Sequence, residues 1–461
     1  MIRSALFFTV ALAATLDVCA AERKPNIVLI MADDFGYECV GANGGNYDTP
    51  HLDRLAATGR RFKHCYVQPV CTPTRVQLMT GLSNKRNYYV FGELDPKAIT
   101  FAHLLKDAGY ATAIAGKWQL GREADSPQHF GFDEAYLWQH TRRPPRYANP
   151  GLEYNGEESN FTNGEYGPDI INDFAIDFVT RHKDEPFLLY YPMLLTHGPF
   201  QPTPDSDNWD PTLQGEKEQD KVTHFADNVE YADKLVGRLV DKLSELGIRE
   251  NTLILFLGDN GTAGRVTSQF AGQPYKGGKG KTNAHGTHVP LIANWTNRIQ
   301  AGQVDENLVS STDFLPTLCE AAGISVPAHT TADGHSFLPQ LLGQTSEPRD
   351  VLYAWFGSGP SLSRVREYAM TTAHKLYRNG DFYDLRSDPE ELRPRKLADL
   401  DAEEAQIAAK LAKVLDQYKD ARPTEVVLAA EAAESKRLER QQKRRNQRKQ
   451  RATEVLDSQQ S

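Results

Sequence analysis

The run Ile27-Val28-Leu29-Ile30-Met31 contains no polar residue and passes through Ala32 directly into Asp33-Asp34. A strand with one wet face alternates apolar and polar residues. A continuous apolar run fits a strand buried on both faces, in the middle of a sheet covered by helices. Two adjacent carboxylates at the end of such a strand are costly unless something compensates their charge. The pattern recurs in Phe187-Leu188-Leu189-Tyr190-Tyr191 and in Thr252-Leu253-Ile254-Leu255-Phe256-Leu257, which runs into Gly258-Asp259-Asn260-Gly261. Apolar spacing predicts a helix over Phe225 to Leu246, further helices over Thr49 to Ala56 and Phe101 to Ala108, and a strand over Ala111 to Ala115. Strands alternating with helices predict an α/β fold, a large mostly parallel sheet sandwiched by helices. Ligands gather at the carboxyl ends of strands in such sheets. Asp33-Asp34, Lys117, the His197 loop and Asp259-Asn260 all follow predicted strands.

Composition shifts near residue 345. Short strands are predicted over Val351 to Phe356, Glu367 to Thr372, Lys375 to Arg378 and Phe382 to Leu385, with a helix from Glu403 to Tyr418. This predicts a smaller C-terminal antiparallel sheet plus helix. The expected organisation is a signal peptide over 1–21, a catalytic domain over 22–345, a C-terminal subdomain over 346–422 and a charged helical or disordered tail over 423–461. The signal reading rests on Arg3, the apolar stretch Ala5 to Ala14 and the small-residue end Val18-Cys19-Ala20-Ala21. It predicts export, periplasmic or secreted. That stretch is too short to span a bilayer, and no transmembrane segment is expected later. The net charge of -9 argues against a nucleic-acid partner. Without Cys19, the cysteines Cys39, Cys65, Cys71 and Cys319 are too scattered for a disulfide scaffold, with Cys39–Cys65 a conceivable bridge. Segments rich in Pro, Gly, Asp and Asn over Arg122 to Asp173 and Pro202 to Val222 read as long loops bordering a cleft.

Chemistry concentrates in Cys71-Thr72-Pro73-Thr74-Arg75, between a strand predicted over His64 to Val70 and a helix from Val76 to Gly81. Pro73 suits a first helical turn. Cys71 is then expected just before a helix N-terminus, where free N–H groups favour an anion, and Arg75 can return to the same anion. Asp33, Asp34, Asp259 and the Asn260 carbonyl form an all-oxygen set that suits Ca2+, and Mg2+ less well, rather than zinc. Singly, each has a plainer reading: an inert buried thiol, an Asp-Asn-Gly turn, a loop histidine, solvated lysines.

In order along the chain, these runs resemble the formylglycine-dependent type I sulfatases of the alkaline phosphatase superfamily. Cys71 to Arg75 resembles C-x-P-x-R, and Pro25 to Tyr37 the metal-binding strand. Gly116-Lys117-Trp118-Gln119-Leu120-Gly121 is similar to G-K-W-H-L-G, and His197-Gly198-Pro199-Phe200-Gln201-Pro202 to H-x-P-x-x-P. Asp259-Asn260-Gly261 matches D-N-G, and Gly277 to Pro290 resembles G-K-x-x-x-x-E-G-G-x-R-V-P. Tyr383-Asp384-Leu385 with Asp388-Pro389 also fits. The resemblance implies a sulfuric ester hydrolase acting on a sulfated small molecule or glycan. Asp33, Asp34, Asp259 and Asn260 would hold Ca2+. Cys71, oxidised by a formylglycine-generating maturation enzyme to 3-oxoalanine, would face the metal as a gem-diol nucleophile. Arg75 would steady the nucleophile, Lys117 and Lys279 would grip sulfate, and His197 would protonate the leaving oxygen from a pKa near its ordinary range. The second diol hydroxyl would give sulfate its exit.

Two departures stand out. Gln119 replaces the usual His and can hold the diol but cannot take its proton near neutral pH. Asn283-Ala284-His285-Gly286-Thr287-His288 replaces the aromatic-Glu-Gly-Gly-x-Arg block. The elimination step would then use another base or water, or His285 or His288 would stand in. Gln119 and His288 join Lys117 and Lys279 as expected substrate contacts. Arg142, Arg143 and Arg146, near Trp138 and His140, are expected to meet neighbouring sulfates. Two rivals remain: a phosphomonoester or phosphonate-ester hydrolase on the same fold, and a sulfated-glycan-binding homologue without catalysis.

Overall fold

The computed structural model describes residues 23–212, 220–327, 332–357 and 364–460, with side chains through Gln447. The signal segment lies outside the described residues. The first twelve strands are β1 (Asn26–Ala32), β2 (Arg60–Tyr66), β3 (Ala111–Lys117), β4 (Glu134–Trp138), β5 (Gly151–Tyr154), β6 (Glu157–Asn160), β7 (Phe187–Pro192), β8 (Thr252–Gly258), β9 (Thr267–Phe270), β10 (Gln273–Lys276), β11 (His288–Asn294) and β12 (Gln303–Ser310). Ten of them make one mixed, mostly parallel sheet in the order β12-β2-β11-β8-β1-β7-β3-β4-β5-β6, and β9 and β10 form a separate hairpin.

Strand β1 is central, parallel to β7 on one side and β8 on the other. All its residues are buried, which is why its sequence does not alternate. Ile27, Leu29 and Met31 enter one core with the helices Phe101–Asp107 and Phe314–Ala321. Val28 and Ile30 enter the other, against the helices Gly167–Arg181 and Phe225–Glu245. Each such side chain contributes about 1.5–3 kcal/mol by leaving water.

Strands β13 (Leu352–Gly357), β14 (Val365–Met370), β15 (His374–Tyr377) and β16 (Phe382–Asp384) form the small antiparallel sheet. The helix Ala402–Gln417 covers it, started by an Asp401–Glu404 capping box. Its Leu411 and Leu415 share a core with Trp355 and with Leu29 of β1, so the small sheet is packed onto the large one. Thr424–Gln460 is a single helix, of which Val426 and Ala430 are buried. Among the described residues no helix is long and apolar enough to cross a membrane.

Three expectations need correction. The segment Arg122 to Asp173 is not one loop, for it holds β4, β5 and β6. Asn155 and Gly156 have φ of 49° and 87°, the positive values a tight hairpin between β5 and β6 requires. Strand β2 ends at Tyr66, earlier than expected, so that the chain can turn before the next helix. Cys39 and Cys65 are both free and buried, with no bridge.

Gly116, near the end of β3, has a φ of +129°, and a Cβ built there would lie 1.9 Å from the Pro192 carbonyl oxygen. Gly116→Ala is expected to destabilise the protein by more than about 2 kcal/mol in urea unfolding. An unchanged midpoint would contradict the close approach of β3 to β7.

Candidate active site

Three strand ends are tied together at one edge of the sheet. The Asp33 N–H donates to the Leu195 carbonyl at 2.8 Å, the Thr196 N–H to the Asp33 carbonyl at 2.7 Å, and the Asp259 N–H to the Ala32 carbonyl at 2.9 Å. Asp34 takes a φ of 60°, and its N–H donates to Asp259 Oδ1 at 3.0 Å. The chain after β1 thus turns sharply, and β7 and β8 hold that turn from both sides. Thr196 Oγ1 adds bonds to the Asp33 and Asp34 carbonyls.

Cations converge on these acids from four segments. Lys117, at the end of β3, reaches both Asp33 oxygens at 2.9 Å, and both side chains are buried. Arg146 reaches Asp33 at 3.3 Å while its guanidinium lies 3.8 Å over the Trp138 ring. Arg75 donates to Asp259 at 3.0 Å and to the Lys117 carbonyl at 2.9 Å. Lys279 meets Asp34 at 2.6 Å. Burial pushes the Asp33 carboxyl up, but Lys117, His197, Arg146 and Lys279 outweigh it and hold it well below the usual range. Burial, then the Asp33 charge, push Asp259 up to about 6, since Arg75 and Lys117 offset them only in part. Three carboxylates therefore face four cations, and such an excess in a dry site attracts an anion.

Cys71 is the first residue of the helix Cys71–Thr80, with Val70 as its N-cap, rather than the residue before it. Its electrostatic neighbours are Lys117, Asp259, Asp33 and Lys279, so the nucleophile candidate belongs to the same cluster. Burial pushes the Cys71 thiol up despite Lys117. As a thiol it is neutral and a poor nucleophile. The Gly280 N–H donates to the Pro69 carbonyl at 2.8 Å, which joins the Lys279 loop to the Cys71 loop.

His197 Nδ1 bonds the Gly198 carbonyl at 2.7 Å. With the proton on Nδ1, the Nε2 lone pair faces Asp34 Oδ2 at 3.9 Å. Burial pulls this ring down to about 4, so it is neutral at rest, unlike the near-ordinary value expected. Gln119 has a φ of 60°, and its Oε1 is buried without a partner. Asn260 donates to Asp34 at 2.9 Å, and its Oδ1 is likewise buried and unpartnered.

The structure does not bring His288 or His285 to this cluster. His288 stacks on Tyr37 at 4.1 Å and on Tyr66 at 5.0 Å, with Nε2 on the Lys63 carbonyl. His285 stacks on Tyr275 at 4.2 Å, with Nδ1 on the Lys276 carbonyl. Ring stacking and backbone acceptors hold both away, so the expected substrate contact of His288 is corrected. Arg142 is engaged by Glu153, Glu158 and Asn160, and buried His140 by Glu153. Arg146, expected to meet neighbouring sulfates, is a member of the cluster itself. Its signal in sequence was faint: an arginine next to Tyr147 and eight residues past Trp138.

The donor set fits a hard divalent cation. Ligating atoms of Asp33, Asp34 and His197 lie within 4.8 Å of one another, the orphaned Asn260 Oδ1 is a free neutral oxygen, and Asp259 is short of positive charge. The oxygens of Asp33, Asp34, Asp259 and Asn260 suit Ca2+ or Mg2+.

Fold and site together define an α/β enzyme whose buried, cation-rich site suits an anionic ester. The sulfatase profile matches residues 25–324, and that of the N-sulphoglucosamine sulphohydrolase C-terminal region matches residues 282–421. Dog (Canis lupus familiaris) N-acetylgalactosamine-6-sulfatase is 32% identical over 377 residues, 74% of this chain and 70% of the relative. Human arylsulfatase A is 33% identical over 390 residues, 74% and 72% of the two chains. The crystal structure of Ps i-CgsB superposes with a TM-score of 0.71 at 26% identity, covering 87% of this chain and 93% of that one. The chain belongs to the sulfatase family and is a sulfuric ester hydrolase. A phosphonate monoester hydrolase of Agrobacterium radiobacter, 20% identical with a TM-score of 0.64 over 85% of this chain and 95% of its own, shares the fold.

Removing Arg75 would leave Asp259 buried beside Asp33 without its guanidinium. Arg75→Met is expected to lower unfolding free energy in urea by about 3–5 kcal/mol. A loss below about 1 kcal/mol would show that Lys117 alone compensates Asp259.

Proposed function

We propose that this protein is an exported sulfatase, periplasmic or secreted, that removes sulfate from sulfated carbohydrate. Cys71 would be matured to formylglycine by a dedicated enzyme, and Ca2+ would be held by Asp33, Asp34, Asp259, Asn260 and residue 71. The supporting observation is the cluster itself: residue 71 lies among Lys117, Lys279, Asp33 and Asp259, at a site with more positive than negative side chains. Carbohydrate is supported by the relatives. One is named for a sulfated sugar, N-acetylgalactosamine-6-sulfate, and Ps i-CgsB was also solved with k-i-k-neocarrahexaose.

When present, the cation supplies charge neutralisation and the hydrated aldehyde supplies a hydroxyl nucleophile. The chain's own residues do the rest. Lys117 and Lys279 project ammonium groups that can take sulfate oxygens, at the cost of loosening their pairs with Asp33 and Asp34. Arg75 is fixed by two partners and holds Asp259 and the end of β3 in place around the nucleophile. Burial of Lys117 and Arg75 excludes water, which strengthens their effect on charge moving to the leaving oxygen. His197 is partly open to solvent and fixed by Gly198. Its Nε2 would carry the proton for the leaving alkoxide once an anion beside it favours the charged ring. Gln119 Oε1 is a free acceptor for a hydroxyl at residue 71.

Protein made in a host able to mature it is expected to show an aldehyde at residue 71 by mass spectrometry and to release inorganic sulfate from an aryl or sugar sulfate. Cys71→Ala and metal chelation should each abolish turnover, with Ca2+ restoring only the chelated enzyme. Equal activity of the unmodified thiol form would refute the nucleophile, and faster cleavage of a matched phosphate monoester would refute the ester class. His197→Ala should slow a sugar sulfate about 100-fold or more but an activated nitrophenyl sulfate much less. An equal loss on both would remove His197 as the proton donor.

A further inference from the structure

The small sheet carries a basic groove that runs up to the Lys279 loop. Gly280, Phe356, Arg364, Arg366, Tyr377 and Asn379 line it, and the open space is about 730 Å3. The groove is anchored to the site rather than merely near it. The Tyr377 hydroxyl bonds Thr282 at 2.8 Å, and Lys375 Nζ donates to the Thr282 carbonyl. Gly280 itself bonds Pro69, and at its φ of +88° nothing among the described residues stands within 4 Å of where a Cβ would point. A ligand can therefore pass close to the backbone beside Lys279.

The charges in the groove are unequally committed. Glu367 is its one acid and is fully engaged by Lys85 at 3.0 Å, Arg378 at 2.7 Å and Tyr353 at 2.7 Å. Arg378 is tied down in that network and to the Leu415 carbonyl. Arg364 and Arg366 are exposed and form no ion pair among the described residues. Arg366 acts on the Asp381 carboxylate, but that group already has Lys396 and Asn379, each at 2.7 Å. Two uncommitted guanidinium groups, able to bind an oxyanion through paired N–H donors, thus flank a path to the sulfate-gripping lysine.

We infer that this groove is a second anion subsite, in which Arg364 and Arg366 bind a further sulfate or carboxylate on the glycan whose sulfate is removed beside Lys279. The inference rests on the proposed sulfatase reading and names its substrate class as polyanionic. The subsite acts on binding and takes no part in bond cleavage.

The matured, full-length enzyme and its Arg364→Ala/Arg366→Ala form would be compared on three substrates: nitrophenyl sulfate, a fully sulfated tetrasaccharide, and a uronate-containing tetrasaccharide bearing only the cleavable sulfate. The KM for the fully sulfated tetrasaccharide should rise about tenfold or more, as expected for loss of hydrogen bonds between charged groups. Its salt dependence should flatten, while the KM for nitrophenyl sulfate moves less than about twofold. Arg366→Lys should recover part of the loss. A matching rise for the uronate substrate would assign a carboxylate as ligand, and a rise for the fully sulfated one alone would assign sulfate. Unchanged KM and salt dependence on both tetrasaccharides would overturn the subsite. If the wild type releases no sulfate from any substrate, the sulfatase reading fails separately. The subsite is then judged by titration calorimetry with the fully sulfated tetrasaccharide, where equal affinity of the two proteins would overturn it.

Discussion

Three carboxylates stand within a few ångströms of one another in a place that water does not reach, and this arrangement survives only because lysine and arginine side chains meet them there. The Asp33–Lys117 and Asp259–Arg75 pairs are both buried and hydrogen-bonded. Buried pairs of this kind add little net stability over an apolar core, but removing either partner is expensive. Their effect is on position. The acids cannot spread apart while their backbones are tied to Leu195, Thr196 and Ala32, and the cations cannot leave without stranding an acid. What results is a rigid, charged edge in which each group depends on another.

The sheet topology makes that edge. Because β1 lies between β7 and β8 and runs parallel to both, the residues following all three strands emerge at the same side. Strand β3 pairs with β7 in the same direction and delivers Lys117 to that side too. The helix Cys71–Thr80 then starts at the rim with Cys71 on its first turn and points Arg75 inward. Charge is thus assembled from segments far apart in sequence, and the apolar faces of one strand set keep the whole cluster in register.

Much of this was legible in the chain because the physical causes are local. The unbroken apolar runs of β1, β7 and β8 fit central strands, and the acids that follow β1 and β8 were expected at one edge. The helix Ala402–Gln417 was expected from Glu403 to Tyr418, and the structure adds the Asp401 cap that starts it. What escaped depended on neighbours that a one-dimensional pattern does not show. Strands β4 to β6 have only four or five residues each, too few to show a period among the Pro, Gly, Asp and Asn residues around them. Arg146 was expected to meet neighbouring sulfates, whereas packing against Trp138 carries it inward to Asp33. His197 and His288 have ordinary sequence contexts, and it is burial that pulls both rings down to about 4.

The altered block from Asn283 to His288 shows how a charged support can be exchanged for an aromatic one. His288 lies against Tyr37 and Tyr66, and His285 against Tyr275. Beside them Glu38 is buried with only the Thr262 hydroxyl as side-chain partner, and burial raises it to about 7. A protonated or weakly ionised Glu38 is tolerable among these rings, where a full ion pair would need its own compensation. Lys279 is held from two sides: its loop is tied to Pro69 at Gly280 and to Tyr377 and Lys375 of the small sheet at Thr282. It also packs on the altered block, since a Cβ at Gly278 would lie 2.4 Å from the His285 Cβ and one at Gly286 would lie 2.0 Å from the Lys281 carbonyl oxygen. Variation at 283–288 therefore leaves the ammonium group facing Asp34 only while Gly278 and Gly286 keep that close approach.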